Sequence, residues 1–102
     1  MWQTIGLSLL GGVMGGNAFP HFVHGITRKR YPNLTGNGPV PNFIGGWAGL
    51  VLAALLLYWA HGDQHPAAAF GSAALGVLLI GLLHAGPGAF GRREAQERPV
   101  TR

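Results

Sequence analysis

Five histidines and one asparagine inside an apolar run are the residues of this chain whose types suit chemistry. His21 and His24 are three apart, and His84 stands late in a second apolar stretch. Neutral imidazoles ligate zinc, copper and haem iron, so three of them at one depth would make a metal or haem site. At 1.5 Å per residue along the helices expected below, His21, His24 and His84 reach a common level near one membrane interface. The plainer alternative is a set of half-solvated histidines bonded to backbone or lipid headgroups. Two features favour it: there is no cysteine to complete a site, and no acidic residue falls at that depth in the helices. One turn before the three histidines stand Asn17, Pro20 and Ile80, not the small residue that a pigment ligand would favour.

His61, Asp63 and His65 form a second cluster whose spacing permits a surface metal site, though in so short a turn they read as a solvated loop. Asp63 is the only acidic residue outside the tail, so there is no carboxylate pair for general acid and base work. Ser8 and Ser72 sit among small residues and read as packing positions rather than nucleophiles. No glycine-rich loop leads from a strand into a helix, as phosphate binding would need. The chain does not read as an enzyme.

Asn17 has three candidate roles: bonding one helix to another, capping a broken helix, or lining a small aqueous path. Pro20 lacks the N–H that would bond the Gly16 carbonyl, so a kink or break is expected near Gly16–Phe19. The Asn17 amide is a local donor for that freed carbonyl.

The elements that must position these residues are helices in a membrane. Of 102 residues, 48% are apolar and 10% charged, against about 25% charged in soluble domains. No Asp, Glu, Lys or Arg occurs from Met1 to Thr27, and only Asp63 from Asn42 to Ala89. The length allows one unit. The expected fold is all-α and integral to a membrane, a single domain over 1–102 with three transmembrane helices at about 3–26, 43–60 and 66–85. Each is near the roughly 20 residues that cross the hydrocarbon. The first is read as a retained helix rather than a signal peptide, because no basic segment precedes it. The basic stretch 28–42, with three prolines and two glycines, reads as a loop, and its Asn33-Leu34-Thr35 glycosylation pattern reads as chance. The turn His61–Pro66 makes the second and third helices an antiparallel hairpin, with Pro66 in a first turn where its missing N–H costs nothing. Gly86-Pro87-Gly88 stops the third helix, and 91–102 is a polar tail.

All seven basic residues lie in the loop and the tail, among them Arg28, Lys29, Arg30, Arg92 and Arg93. That placement suits lipid headgroups and topology signals rather than nucleic acid, and it predicts N-out, C-in, with the C-terminus cytoplasmic. Trp2, Tyr58 and Trp59 would form the outer aromatic belt, with Tyr31 and Trp47 on the inner side.

In lipid, helices associate through small residues that let backbones approach. Gly11, Gly12, Gly15 and Gly16 fall on one side of the first helix, with Asn17, His21 and His24 opposite, so this helix should be contacted on both sides. Gly45, Gly49 and Ala53 offer a similar set on the second helix, and Ser72 and Gly76 on the third.

The run Gly16 to Ile26, with its Gly-Asn-x-x-Pro-His-Phe core, the basic proline-rich loop and Asn42 to Gly49 resemble a loose group of small three-helix bacterial membrane proteins. The likeness covers about the first half of the chain and implies a bacterial inner membrane. The group has no assigned activity, so no residue role carries over. Three functions remain in view. The first is a non-enzymatic membrane protein acting through helix contacts, as an accessory subunit of a larger membrane complex or a homo-oligomer among membrane lipids. The second is a small oligomeric channel or transporter. The third is a haem- or metal-binding protein using His21, His24 and His84.

Overall fold

A computed structural model describes residues 1–86. Three helices account for most of them: α1 (Trp2–Ile26), α2 (Pro39–Trp59) and α3 (Pro66–Ala85). α2 and α3 are long and apolar enough to cross a membrane. α1 has the length, but its glycines, Asn17 and histidines hold its hydropathy below theirs.

The second helix starts earlier than expected. Pro39 and Pro41 lie in its first turn, where backbone N–H groups have no partner within the helix, so two residues that read as loop formers instead begin the helix. The first helix runs through Pro20 as one element, so the break that Pro20 could have caused near Gly16–Phe19 does not occur. Asn17 does not cap it: its amide makes no hydrogen bond among the described residues.

α1 ends in a pair of backbone bonds, Arg28 N–H to the Gly25 carbonyl at 3.1 Å and Lys29 N–H to the His24 carbonyl at 2.8 Å. This is the Schellman arrangement, with Arg28 rather than glycine in the left-handed position at φ 60°. The chain then turns back, and Tyr31 to Asn37 close a small loop over the end of α1.

α1 lies between the other two helices. It packs against both α2 and α3, which make no close backbone approach to each other. The expected hairpin of α2 and α3 therefore has antiparallel directions but no close backbone packing. The glycines of α1 do not share one neighbour either. Gly11 and Gly15 face Leu57 and Ala53 of α2, whereas Gly12 and Gly16 face Ala73, Val77 and Ile80 of α3. The order of contacts makes α1 antiparallel to α2 and parallel to α3. A Cβ on Gly12 would overlap the Ala73 carbonyl, and one on Gly76 would overlap the Leu9 carbonyl. At the other interface, Gly25 meets the Phe43 backbone and Gly46 the Phe22 backbone.

The interior is made of small and polar residues: Thr4, Ser8, Gly11, Gly12, Ala18, His21 and Gly25 of α1, with Asn42, Gly46 and Ala53 of α2. α3 buries Gly76 alone. Most Leu, Val, Ile and Phe side chains of α2 and α3 are exposed.

Candidate functional site

Two features meet at the end of the bundle that carries Arg28, Lys29 and Arg30. The first is a buried polar clasp centred on Asn42, in the first turn of α2. Its side chain is fully buried, and Nδ2 donates to the Tyr31 carbonyl at 2.8 Å and the Gly38 carbonyl at 2.9 Å. Both partners only accept, so Oδ1 is left as the acceptor for His21 Nδ1 at 2.7 Å. The hydrogen bond therefore places a proton on His21 Nδ1, and in the neutral ring it leaves the lone pair on Nε2. One amide thus ties α1, the loop and the first turn of α2.

Tyr31 completes the clasp. It is 7% exposed, its ring meets His21 edge-on at 5.2 Å and stacks on His24 at 4.2 Å. Tyr31 was expected in an aromatic belt, but it packs inward because Asn42 and Asn37 hold its backbone. Trp2, Tyr58 and Trp59 are exposed, as a belt requires. His24 donates from Nδ1 to the Pro20 carbonyl at 2.6 Å, and His84 does the same to the Ile80 carbonyl at 2.8 Å.

The three histidines considered as a metal set thus have separate local partners. Among the described residues no group of three His, Cys, Asp or Glu is placed to hold a metal ion, neither His21, His24 and His84 nor His61, Asp63 and His65. Arg92 and Arg93 lie outside the described residues; Arg28, Lys29 and Arg30 are exposed.

The second feature is a groove of about 360 Å³. It exists because α2 and α3 both lean on α1 without meeting, which leaves a strip of α1 uncovered between them. Met14, Asn17, Ala18 and His21 form its floor, Gly45 and Gly49 one wall, Ile80 and Leu83 the other, and Asn33 and Leu34 its loop-side end.

No known protein family, curated protein or solved structure matches the chain. The site must be understood from its own geometry.

Several expected residues change role. Gly45 was placed among the helix-packing glycines, yet it is exposed, and an added Cβ would meet only the Asn33 amide, at 3.4 Å or beyond. The packing position is its neighbour Gly46, one residue along and therefore 100° around the helix. Gly49 does pack, against Ala18. Asn17 makes no hydrogen bond to another helix among the described residues and sits half-buried in the groove. Sequence reasoning missed Asn42, which read as the last residue of a polar loop. The signal was present, since an asparagine three residues after Pro39 lies in a helical first turn, but its partner is 21 residues away. Thr4 and Gln3 were missed too. Thr4 Oγ1 donates to the Ala60 carbonyl at 2.6 Å and Gln3 Nε2 to the Trp59 carbonyl at 2.8 Å, satisfying carbonyls at the end of α2.

Proposed function

We propose that the chain is a small, non-enzymatic integral membrane protein of the bacterial inner membrane that acts through helix contacts with other membrane subunits or copies of itself. Its three helices span the bilayer with the N-terminus outside and the C-terminus in the cytoplasm. The observation that supports this most is the inverted distribution of polarity. Polar and small side chains are enclosed around α1, while α3 buries only Gly76 and turns Leu75, Leu78, Leu79 and Leu82 outward. Water would not tolerate that surface, whereas lipid or another apolar helix would. α1 spans despite its lower hydropathy because α2 and α3 shield much of it from lipid. Arg28, Lys29 and Arg30 at one end, and no basic residue in the His61–Pro66 turn at the other, support the orientation.

Outward faces on both outer helices leave room for a partner. An apolar hollow of about 360 Å³ beside α2, formed by Thr35, Val40, Pro41, Ile44, Gly45 and Ala48, adds shape to one of them. The chain has no cysteine, so single cysteines can be introduced without background. A cysteine at Gln64 should react with an impermeant maleimide from outside intact cells, and one at Asn37 only after lysis. Photo-crosslinkers at Leu78 and Ile44 should capture a second membrane protein or a second copy in the native membrane. Labelling of both cysteines from outside would overturn the orientation. Crosslinks to lipid alone at both outer faces would overturn the contact function.

A further inference from the structure

The groove between α2 and α3 has a polarity that selects its occupant. His21 is 7% exposed and lines the groove, and its Nδ1 is committed to Asn42. Nε2 is left without a hydrogen-bond partner among the described residues, and in the neutral ring it is an acceptor. One turn away, the Asn17 amide is likewise without a partner and also lines the groove. Four residues at 1.5 Å each place these two polar positions about 6 Å apart along the helix axis. Everything else around them is apolar or glycine, apart from Asn33, whose Nδ2 already donates to Thr35 Oγ1 and the Pro41 carbonyl.

A fitting ligand must donate a hydrogen bond to His21, offer a second polar atom about one helical turn along α1 toward Asn17, and be apolar between and beyond them. A phosphate or carboxylate offers lone pairs to a lone pair at Nε2. An acyl chain leaves both polar groups unsatisfied in an apolar environment, which is costly. A hydroquinone meets all the conditions. Its two ring oxygens are separated by a similar distance, its hydroxyls donate, and its flat ring suits a wall whose Gly45 and Gly49 carry no side chain. The volume of about 360 Å³ is of the size that holds a ring and the start of a tail.

We propose that this groove binds a membrane-soluble quinol, with one hydroxyl donating to His21 Nε2 and the other oxygen bonded to the Asn17 amide. The proposal draws on the membrane reading only for the source of the ligand. It concerns binding, and no electron transfer is implied. Because His21 presents a lone pair, the reduced form should bind more tightly than the oxidised form, whose ring oxygens only accept.

The test uses the full chain in nanodiscs, titrated with decylubiquinol kept reduced, with decylubiquinone, and with the dimethyl ether of the quinol, and read by native mass spectrometry. Saturable binding of one quinol per chain is expected, with about tenfold weaker binding of the quinone and the ether, the equivalent of one buried hydrogen bond. Asn17→Leu should weaken quinol binding by a similar factor. Leu83→Trp should abolish it by filling the groove from the α3 side, away from the clasp, and an unchanged circular dichroism melt would show that the fold is intact. Equal binding of all three probes, unaltered binding by folded Leu83→Trp, or phospholipid that no probe displaces would each overturn the proposal. The crosslinking at Leu78 and Ile44 tests the contact function separately, since neither residue lines the groove.

Discussion

α1 holds its two neighbours by different means. Against α2 it uses hydrogen bonds at both ends, Thr4 and Gln3 to the last carbonyls of α2 and His21 to Asn42 in its first turn, with Gly25 and Gly46 between backbones. Against α3 it uses close backbone approach: Gly12, Gly16 and Gly76 bring the two helices into contact. In an apolar medium both devices work, but they fail differently. A polar latch tolerates small shifts in helix position. A glycine contact tolerates none, because nothing between the backbones can yield.

The largest expected effect follows from that contrast. Gly12→Leu should release α3 from α1 while leaving α2 latched, and even Gly12→Ala should cost about 3 kcal/mol, since its methyl meets the Ala73 carbonyl. Gly15→Ala should change stability by less than about 0.5 kcal/mol, because its methyl would sit 3.5 Å from the Ala53 methyl. Disulfide formation between cysteines at 16 and 77, compared with 15 and 53, would report which neighbour has moved. Equal losses from the two alanine variants would erase the distinction between the interfaces.

Next in size is Asn42→Ala. It strips partners from His21 Nδ1 and from the Tyr31 and Gly38 carbonyls, and should cost about 2–3 kcal/mol in detergent unfolding. Limited proteolysis between Arg28 and Asn37 should accelerate as Tyr31 is released. If cleavage stayed slow, the clasp would not be what holds the loop.

Thr4→Val removes one latch at the opposite end and should cost about 1 kcal/mol. Chemical denaturation in the same detergent can rank it below Asn42→Ala; the reverse order would put the main α1–α2 attachment at the other end. The smallest effect has the opposite sign. Ser8 Oγ is fully buried with no hydrogen-bond partner among the described residues, so Ser8→Ala should raise stability by about 0.5–1 kcal/mol, visible as a higher melting temperature. A loss instead would reveal a bond the hydroxyl makes in the membrane.

The helices were legible because their causes are local. Long stretches without charge, Pro66 opening α3 and Gly86 closing it are read one segment at a time. The start of α2 was misplaced because Pro39 and Pro41 have two meanings, loop or first turn, and only the bonds made by Asn42 decide between them. The site was harder to see. His21 stood out as a chemical residue, but the partner that holds its Nδ1 belongs to a different helix, and the three roles open to Asn17 could not be separated because nothing local shows that it faces a gap.

By itself the sequence determined an all-α chain of three helices, two of them almost wholly apolar and the first carrying most of the helical glycine and polar residues. Backbone hydrogen bonding and side-chain polarity act within each segment, so they can be read without knowing its neighbours. Only the tertiary structure decided that α1 lies between α2 and α3, that its four glycines divide between them, and that a groove with Asn17 and His21 on its floor remains. A helix offers every face to its surroundings, and which face is covered depends on where the other helices settle.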